Sequence, residues 1–271
     1  MLFRSVAINA LAALREYDKS RAAASVPFEY FADVDEAGAR AVIARVRAQG
    51  HTSMTEVDSK AIFRAYGLPV AATELATSED QAAQLAEAIG YPVVMKIISP
   101  DILHKSDAGG VKVNLKNEVE VREAYHTILE NAHAYKADAE IQGIAIQEMA
   151  PWGTEVILGS VNDPTFGPTL MFGLGGIFVE ILKDVTFRVA PIMPDQAAHM
   201  LEDIKGAPIL AGARGEAPRD REVLAQVLSR YSQMITDLGD EIAESDANPV
   251  LVYEAGKGAC VVDARIILKT K

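Results

Sequence analysis

The stretch VVMKIISPDILHKSDAGGV, residues 93–111, carries the densest chemical signal in this chain. The apolar run at its start predicts a buried strand, interrupted by Lys96, whose ammonium must either reach the surface or meet an anion. Residues 104–110 then bring together a histidine, a lysine, a serine and two glycines. Glycines let backbone amides approach phosphate closely, and lysine adds positive charge. The stretch therefore indicates a strand, a loop suited to phosphate and a second strand beginning at Val111.

His104 gives this loop a nucleophile, because neutral imidazole is competent to accept a phosphoryl group. Simpler interpretations remain open from these residues alone. Lys96 could be a strand-edge lysine, and Gly109-Gly110 could be a plain hairpin turn.

The composition narrows the class of protein. The 271 residues are 49% hydrophobic, which suits one large domain or two modest ones with a substantial core. The net charge of −12 disfavours a sequence-independent grip on nucleic acid, and the single cysteine, Cys260, suits a reducing compartment. No apolar run approaches the roughly 18 residues of a membrane span. Residues 1–14 could pass for a weak signal peptide, but their spacing better fits an amphipathic helix, and we expect a cytoplasmic protein.

Two parts are expected along the chain. Within residues 1–50 the sequence predicts a helix over 1–24, a linker over 25–35 and a second helix over 36–49 that ends at Gly50. From residue 51 helices and strands alternate. Helices are predicted over 55–66, 78–89, 118–133, 194–204 and 220–237; strands are predicted after Gly67 and over 93–98, 111–115, 144–149, 155–161, 169–172, 185–191, 250–253 and 259–268. This order is not a clean βαβ repeat and predicts an α+β fold with mixed sheets.

Two further stretches are suited to a nucleotide. At residues 147–155 a strand ends at the carboxylate of Glu148 and enters a segment broken by Pro151, which offers backbone groups to an adenine edge and a carboxylate to ribose hydroxyls. A simple loop between strands is the alternative. Residues 172–176, FGLGG, lack the third glycine of a dinucleotide fingerprint, so we reject a Rossmann interpretation. A glycine-rich turn and a phosphate loop both remain open there.

A metal site is indicated near the end of the chain. Asn248 stands before Pro249, which starts a predicted strand, and Asp263 interrupts the apolar run of the partner strand in a closing hairpin. A charge in such a run is costly unless it is paired or holds a metal. Across the hairpin the two oxygen-bearing side chains can converge, and Mg²⁺ favours a few such ligands with phosphates completing its shell.

Taken in order, these stretches resemble the ATP-grasp module of the β subunits of ADP-forming acetyl-CoA synthetases, relatives of the succinyl-CoA ligase β subunit. The resemblance covers residues 51–271, opens on SKAIFRAYGLPV (59–70) and is most specific at residues 99–111. It implies an ATP-grasp fold of two α/β lobes with the nucleotide between them. The small lobe would span about 69–148 and the large lobe about 149–271 with 51–68, following an N-terminal helical extension.

The resemblance also implies roles for individual residues. His104 would accept phosphate and relay it to or from the nucleotide, and Asn248 and Asp263 would hold Mg²⁺. The residues it implies as contacts of ATP or ADP are Lys96, Lys105, Ser106, Gly109, Gly110, Glu148, Ala150, Glu155 and Arg265.

The implied reaction is acid + CoA + ATP ⇌ acyl-CoA + ADP + phosphate, with a small carboxylic acid that the sequence does not identify. Residues 1–24 resemble the helix that closes the CoA-ligase region of fused family members. We therefore expect a split subunit, or a piece, of a larger enzyme that works with a CoA-binding α-type partner. Two alternatives remain. An ATP-grasp carboxylate–amine ligase would need no phosphohistidine, and a non-catalytic regulatory module would be expected to lose the metal ligands or the histidine.

Overall fold

The structure is a computed structural model that describes residues 28–102, 104–176, 179 and 181–270. The helix expected over residues 1–24 lies outside the described residues, as do residues 25–27 of the expected linker. The chain divides into a unit of residues 1–30 and a unit of residues 31–271. In the first unit the rings of Phe28 and Tyr30 meet edge to face, with centroids 4.8 Å apart. The two sheets and their helices belong to the second unit.

Two helices precede the first sheet, as predicted: α1 (Glu36–Ala48) and α2 (Glu56–Ala65). The hydroxyl oxygen of Thr55 accepts the amide of Asp58 at 3.1 Å, so α2 has the N-terminal cap that its sequence indicates. This cap makes Glu56 the first residue of α2.

The first sheet is built from residues 73–148. Its elements are β1 (Thr73–Ala76), α3 (Glu79–Ile89), β2 (Val93–Ile98), β3 (Val111–Leu115), α4 (Glu118–Tyr135) and β4 (Gly143–Glu148). The strand order is β1-β4-β2-β3, and apolar residues of α3 and α4 pack on one face. Because β2 is an inner strand, Lys96 at its centre is buried.

The second sheet and its neighbouring helices are built from residues 154–268. Its elements are β5 (Thr154–Asp163), β6 (Gly167–Leu174), β7 (Val185–Val189), α5 (Pro194–Glu202), α6 (Ala207–Leu210), α7 (Arg221–Asp237), β8 (Ile242–Val252), β9 (Ala259–Val261) and β10 (Ala264–Leu268). The order is β10-β8-β5-β6-β7, with β9 also paired to β8. One face packs on a core to which α1, α2 and α7 contribute, whereas the opposite face leaves side chains such as Phe187 exposed.

Three expectations about these elements were wrong. The sheets are not mixed, since every strand pair in the described part of the chain is antiparallel. The expected strand 259–268 is two strands separated at residues 262–263, and the expected strand at 250–253 is the end of the longer β8. Helix α6 and a short 3₁₀ helix, Ala213–Gly215, were not predicted.

A bulge explains the error at the closing strands. Val156 pairs with Val250 whereas Leu158 pairs with Ala247, so β8 carries one extra residue there. Proline has no amide hydrogen and is tolerated inside a sheet at such an interruption. Pro249 therefore lies within β8 rather than at its start. Among the helices that the structure describes, none combines the length and the hydrophobicity needed to cross a bilayer.

Candidate active site

A buried carboxylate that the sequence analysis did not single out, Glu56, organises the site. Its side chain is 1% exposed. Glu56 Oε1 accepts hydrogen bonds from the ammonium groups of Lys60 at 2.9 Å and Lys96 at 2.7 Å, and Oε2 accepts one from Lys105 at 2.8 Å. The three lysines come from α2, from β2 and from the loop after β2. A carboxylate this deeply buried requires such partners, because removing it from water is costly.

The charged side chains of this cluster shift one another's pKa values. Burial acts to raise the pKa of Glu56, but Lys96, Lys60 and Lys105 together hold that pKa well below its usual range. Burial acts to lower the pKa of Lys105, yet Glu56 and Asp263 carry it above its ordinary value. Glu56 is therefore an anion and Lys105 a cation at neutral pH.

Lys60 has a structural role within the cluster. Its side chain is 1% exposed, and besides Glu56 it donates to Thr73 Oγ1 at 3.0 Å and to Gln147 Oε1 at 2.9 Å. An ammonium has three donors, so these three acceptors satisfy it completely. Lys60 thereby fastens α2 to β1 and β4, and Lys96 and Lys105 are the two lysines of the cluster left for a ligand.

The predicted metal pair lies beside these lysines. The amide of Asn248 donates to the carbonyl of Asp263 at 3.1 Å, and the amide of Val262 donates to the carbonyl of Pro249 at 3.0 Å. These bonds place the bulge of β8 opposite the break between β9 and β10. Burial and then the charge of Glu56 raise the pKa of Asp263, against the opposing effect of the lysines.

One cavity of about 260 Å³ joins most of these groups. Its lining includes Glu56, Lys105, Asn248, Asp263 and Arg265. Lys96 does not line this cavity itself. Its ammonium lies 3.4 Å from Oδ2 of Asp263, which does line it. The fold thus collects predicted residues from three separate stretches of sequence at one position.

The donor set is compatible with Mg²⁺. Asn248 and Asp263, whose side chains carry an amide oxygen and carboxylate oxygens, both line the cavity. Across the described residues, no three His, Cys, Asp or Glu side chains are grouped so as to hold a metal ion. Mg²⁺ is commonly held by one or two protein oxygens together with substrate phosphates. Two protein oxygen donors are within the number that Mg²⁺ uses when substrate phosphates complete its shell.

Backbone hydrogen bonds hold the loop that carries His104. The amide of Gly110 donates to the carbonyl of Lys105 at 2.8 Å, and the amide of Ile97 donates to the carbonyl of Gly110 at 2.8 Å. A Cβ on Gly110 would lie 2.5 Å from Cγ2 of Ile97, so this glycine is required for packing against β2. His104 and Ser106 are exposed, and neither belongs to the lining of the cavity.

Only Lys105 and Arg265 of the nine predicted nucleotide contacts line the Glu56 cavity, and three of the others, Glu148, Ala150 and Glu155, belong to β4, β5 and the segment between them. Glu148, at the end of β4, is exposed, and Ala150 is half-buried. Glu155 is exposed in β5, and its carbonyl accepts the amide of Gly175 at 2.8 Å. Burial and then the charge of Glu148 raise the pKa of Cys260, the middle residue of β9.

Arg265 lines the cavity but is already paired. Its Nε donates to Asp246 Oδ2 at 2.7 Å, and its Nη2 lies 3.2 Å from Glu244 Oε1. The residues that sequence reasoning missed are Glu56, Lys60 and Asp246. The available signal for the first two was their i, i+4 spacing on a capped helix, which is typical of an ion pair.

Comparison with known proteins places the chain in a family. The ATP-grasp domain family matches residues 45–268. The β subunit of ADP-forming acetate–CoA ligase II from Pyrococcus furiosus is 54% identical over 228 residues, which are 84% of this chain and 97% of that subunit. ADP-forming acetate–CoA ligase I from Archaeoglobus fulgidus is 40% identical over 262 residues, which are 97% of this chain but 38% of that longer protein.

A solved structure agrees with these matches. It is the dinucleotide-forming acetyl-coenzyme A synthetase 1 of Ca. Korarchaeum cryptofilum with coenzyme A and Mg-AMPPCP, its phosphohistidine segment pointing towards the nucleotide binding site. The TM-score is 0.75 at 44% identity, over 85% of this chain and 100% of that chain. The match over residues 45–268 and the shared fold make the chain a member of the ATP-grasp family. Within it, the chain belongs to the group of ADP-forming acetate–CoA ligase β subunits, which confirms the resemblance and the expected fold.

Proposed function

We propose that this chain is the ATP-binding, phosphoryl-transferring subunit of an ADP-forming acyl-CoA synthetase, which catalyses acid + CoA + ATP ⇌ acyl-CoA + ADP + phosphate. One observation carries the proposal. Two lysines held by Glu56 lie beside the Asn248–Asp263 pair, and one of them adjoins the exposed His104. Cations for phosphate, oxygen ligands for Mg²⁺ and a nucleophile are the parts that phosphoryl transfer to a histidine requires.

In this proposal Lys96 and Lys105 bind the phosphates of the nucleotide. Phosphate oxygens accept charge-assisted hydrogen bonds from the ammonium groups that now face Glu56 and Asp263. Mg²⁺, when bound, neutralises charge on the transferring phosphoryl group. Asn248 and Asp263 would be its protein ligands, because both carry oxygen donors and both line the same cavity.

The remaining predicted contacts complete the nucleotide site in the same proposal. Ser106, Gly109 and Gly110 offer loop groups to phosphate, and Arg265 exchanges its carboxylate partners for an anion. The other three contacts serve the nucleoside: Glu148 for the ribose, Ala150 for the adenine edge through its backbone, and Glu155 beside the glycine-rich turn.

His104 is the proposed phosphoryl acceptor. A ring nitrogen of the neutral imidazole attacks the γ-phosphorus of ATP, an N–P bond forms, and the P–O bond to ADP breaks with its electron pair leaving on ADP. The phosphohistidine then gives the phosphoryl group to the acid by way of the partner. Its exposure on the loop makes His104 accessible to a second protein.

The partner that we propose is a CoA-binding α-type subunit, and the substrate is a small carboxylic acid. The relative from Pyrococcus furiosus is named as a β subunit, and the Archaeoglobus fulgidus relative is a longer chain that contains the matched region. Both arrangements support a role for this chain as one component of a larger enzyme. The single cysteine supports a cytoplasmic location.

The alternatives to a phosphohistidine relay are less well supported. A carboxylate–amine ligase forms its acyl phosphate directly and has no need of the histidine in this loop. A regulatory module that had lost catalysis would be expected to lack His104, Asn248 or Asp263, and all three are present.

Labelling with ATP tests the proposal. Incubation of the chain with Mg²⁺ and γ-phosphate-labelled ATP should yield a protein-bound label that is labile in acid and stable in base. His104→Ala should abolish the label. His126→Ala, a change at another exposed histidine on α4, should retain it. An unlabelled wild-type chain, or equal labelling of His104→Ala, would contradict the proposal.

A further inference from the structure

We propose that Glu56 is a positioning residue for phosphoryl transfer: through its hydrogen bond to Lys105, it holds the His104 loop in place beside the nucleotide site. This role rests on the function proposed above, because it has a consequence only if His104 receives a phosphoryl group.

The three lysines around Glu56 have different sets of partners. Lys60 is satisfied by three acceptors, and Lys96 is shared between Glu56 and Asp263. Within the described part of the chain, Glu56 is the only side chain at hydrogen-bond distance from the Lys105 ammonium. The Lys105 side chain is 24% exposed, so it is the outermost of the three. Glu56 is therefore the side-chain anchor of Lys105.

Lys105 is fastened at two points. Its carbonyl accepts the amide of Gly110 at 2.8 Å, which ties its backbone to the end of the loop. Its side chain ties the same residue to the start of α2 through Glu56. Consecutive Cα atoms are about 3.8 Å apart. Holding Lys105 therefore confines the backbone of His104, while the imidazole stays exposed.

Glu56 is rigid enough to act as such an anchor. It is the first residue of α2, directly after the Thr55 cap, and its side chain is 1% exposed. Its Oε1 is held by Lys60 and Lys96, which fixes the direction of the carboxylate. Oε2 is thus presented to Lys105 from a fixed point of the fold.

A positioning role and a purely structural role predict different results. If Glu56 only stabilised the fold, a conservative change would lower thermal stability, nucleotide binding and phosphoryl transfer together. If Glu56 positions the loop, transfer to His104 slows more than nucleotide binding weakens. A longer donor at residue 105 should then compensate for a shorter acceptor at residue 56.

The test compares Glu56→Asp, Glu56→Asp with Lys105→Arg, and wild type as full-length chains. Aspartate keeps the charge but withdraws the acceptor by one methylene, and arginine restores the reach. The readouts are the quenched-flow rate of His104 phosphorylation by Mg²⁺–ATP, the Kd for ADP and the melting temperature. We expect Glu56→Asp to slow phosphorylation about tenfold while the Kd changes less than about threefold, and Lys105→Arg to restore most of the rate.

Glu118→Gln is the matched control, since Glu118 is an exposed carboxylate whose partner, Arg122, lies on the same helix at 2.8 Å. Its phosphorylation rate should equal that of wild type. An unchanged rate in Glu56→Asp, an equal fall in rate and affinity, or no rescue by Lys105→Arg would overturn the positioning role alone. An unlabelled wild-type chain would overturn the proposed function as well. If Glu56→Asp does not fold, Lys105→Met is the second variant, and an unchanged rate at saturating ATP would again overturn the role.

Discussion

The Lys96 ammonium lies 3.4 Å from Oδ2 of Asp263, and this contact joins the two sheets of the molecule. Lys96 belongs to an inner strand of the four-stranded sheet, and Asp263 lies in the break between β9 and β10 of the six-stranded sheet. The predicted phosphate and metal ligands are therefore adjacent only when the two sheets are correctly packed. Substitutions at this junction should therefore affect nucleotide binding and the stability of the fold to different extents.

Replacing Asp263 with Asn should weaken Mg²⁺-dependent nucleotide binding by at least about tenfold. Stability should be unchanged or higher, and the sign follows from the raised pKa of Asp263. Burial and Glu56 disfavour its ionised form in the folded state, so this carboxylate opposes folding above its folded pKa. Calorimetric titration with Mg²⁺–ADP and thermal melts measure the two effects. Asp240→Asn, at an exposed position, is the control; an unaltered Mg²⁺ dependence in Asp263→Asn would refute the ligand assignment.

The contribution of Glu56 to stability should depend on pH. Its folded pKa is held below the ordinary value of 4.5, so its stabilising effect is complete above that value and is lost as pH falls through the folded pKa. The difference in free energy of unfolding between wild type and Glu56→Gln should therefore be constant above about pH 6 and shrink below about pH 4. Urea unfolding across this range measures it. A difference that does not vary with pH would show that Glu56 is not ionised as described.

Cys260 should react slowly with iodoacetamide in the folded chain. Burial and then Glu148 raise the pKa of its thiol, and the thiolate is the reactive form. At pH 8 we expect alkylation at least about tenfold slower than in the chain unfolded by urea. ADP should slow it further if Glu148 contacts the nucleotide. Because this is the only cysteine, total modification reports on it directly; equal rates in folded and unfolded chains would contradict the expectation.

Gly110→Ala should destabilise the chain by about 1–3 kcal/mol, because overpacking forces neighbouring groups to move. The new Cβ would lie 2.5 Å from Cγ2 of Ile97 and 3.1 Å from the carbonyl oxygen of Lys105. The amount of phosphoryl label on His104 should fall in the same variant. Gly159→Ala is the control, since the nearest atom to its new Cβ is the mobile end of Met171, at 3.0 Å. Comparable losses of stability in the two variants would argue against a specific role for Gly110, and chemical denaturation measures both.

Local signals predicted most elements of the fold. The capped start of α2, the buried strand containing Lys96 and the helix beginning at Glu118 all follow from period, caps and turn residues, which act over a few positions. The closing strands were predicted less well. Their bulge at residues 248–249 depends on pairing with both β5 and β10, and a residue's neighbours in sequence do not encode that pairing.

The residues of the site likewise divide into those that the sequence predicted and those that only the structure revealed. Sequence alone identified Lys96, Lys105, Asn248 and Asp263 by residue type and motif, and the structure brings them together. Their anchor, Glu56, was found only in the tertiary structure, since its partner Lys105 is 49 residues away. The binding and catalytic roles of all the predicted site residues, Glu148, Ala150 and Glu155 among them, stay predictions. Sequence thus determined which chemical groups this protein has. The packing of two sheets decided which groups meet, because an ion pair is favourable in a buried place only where the fold brings both charges out of water together.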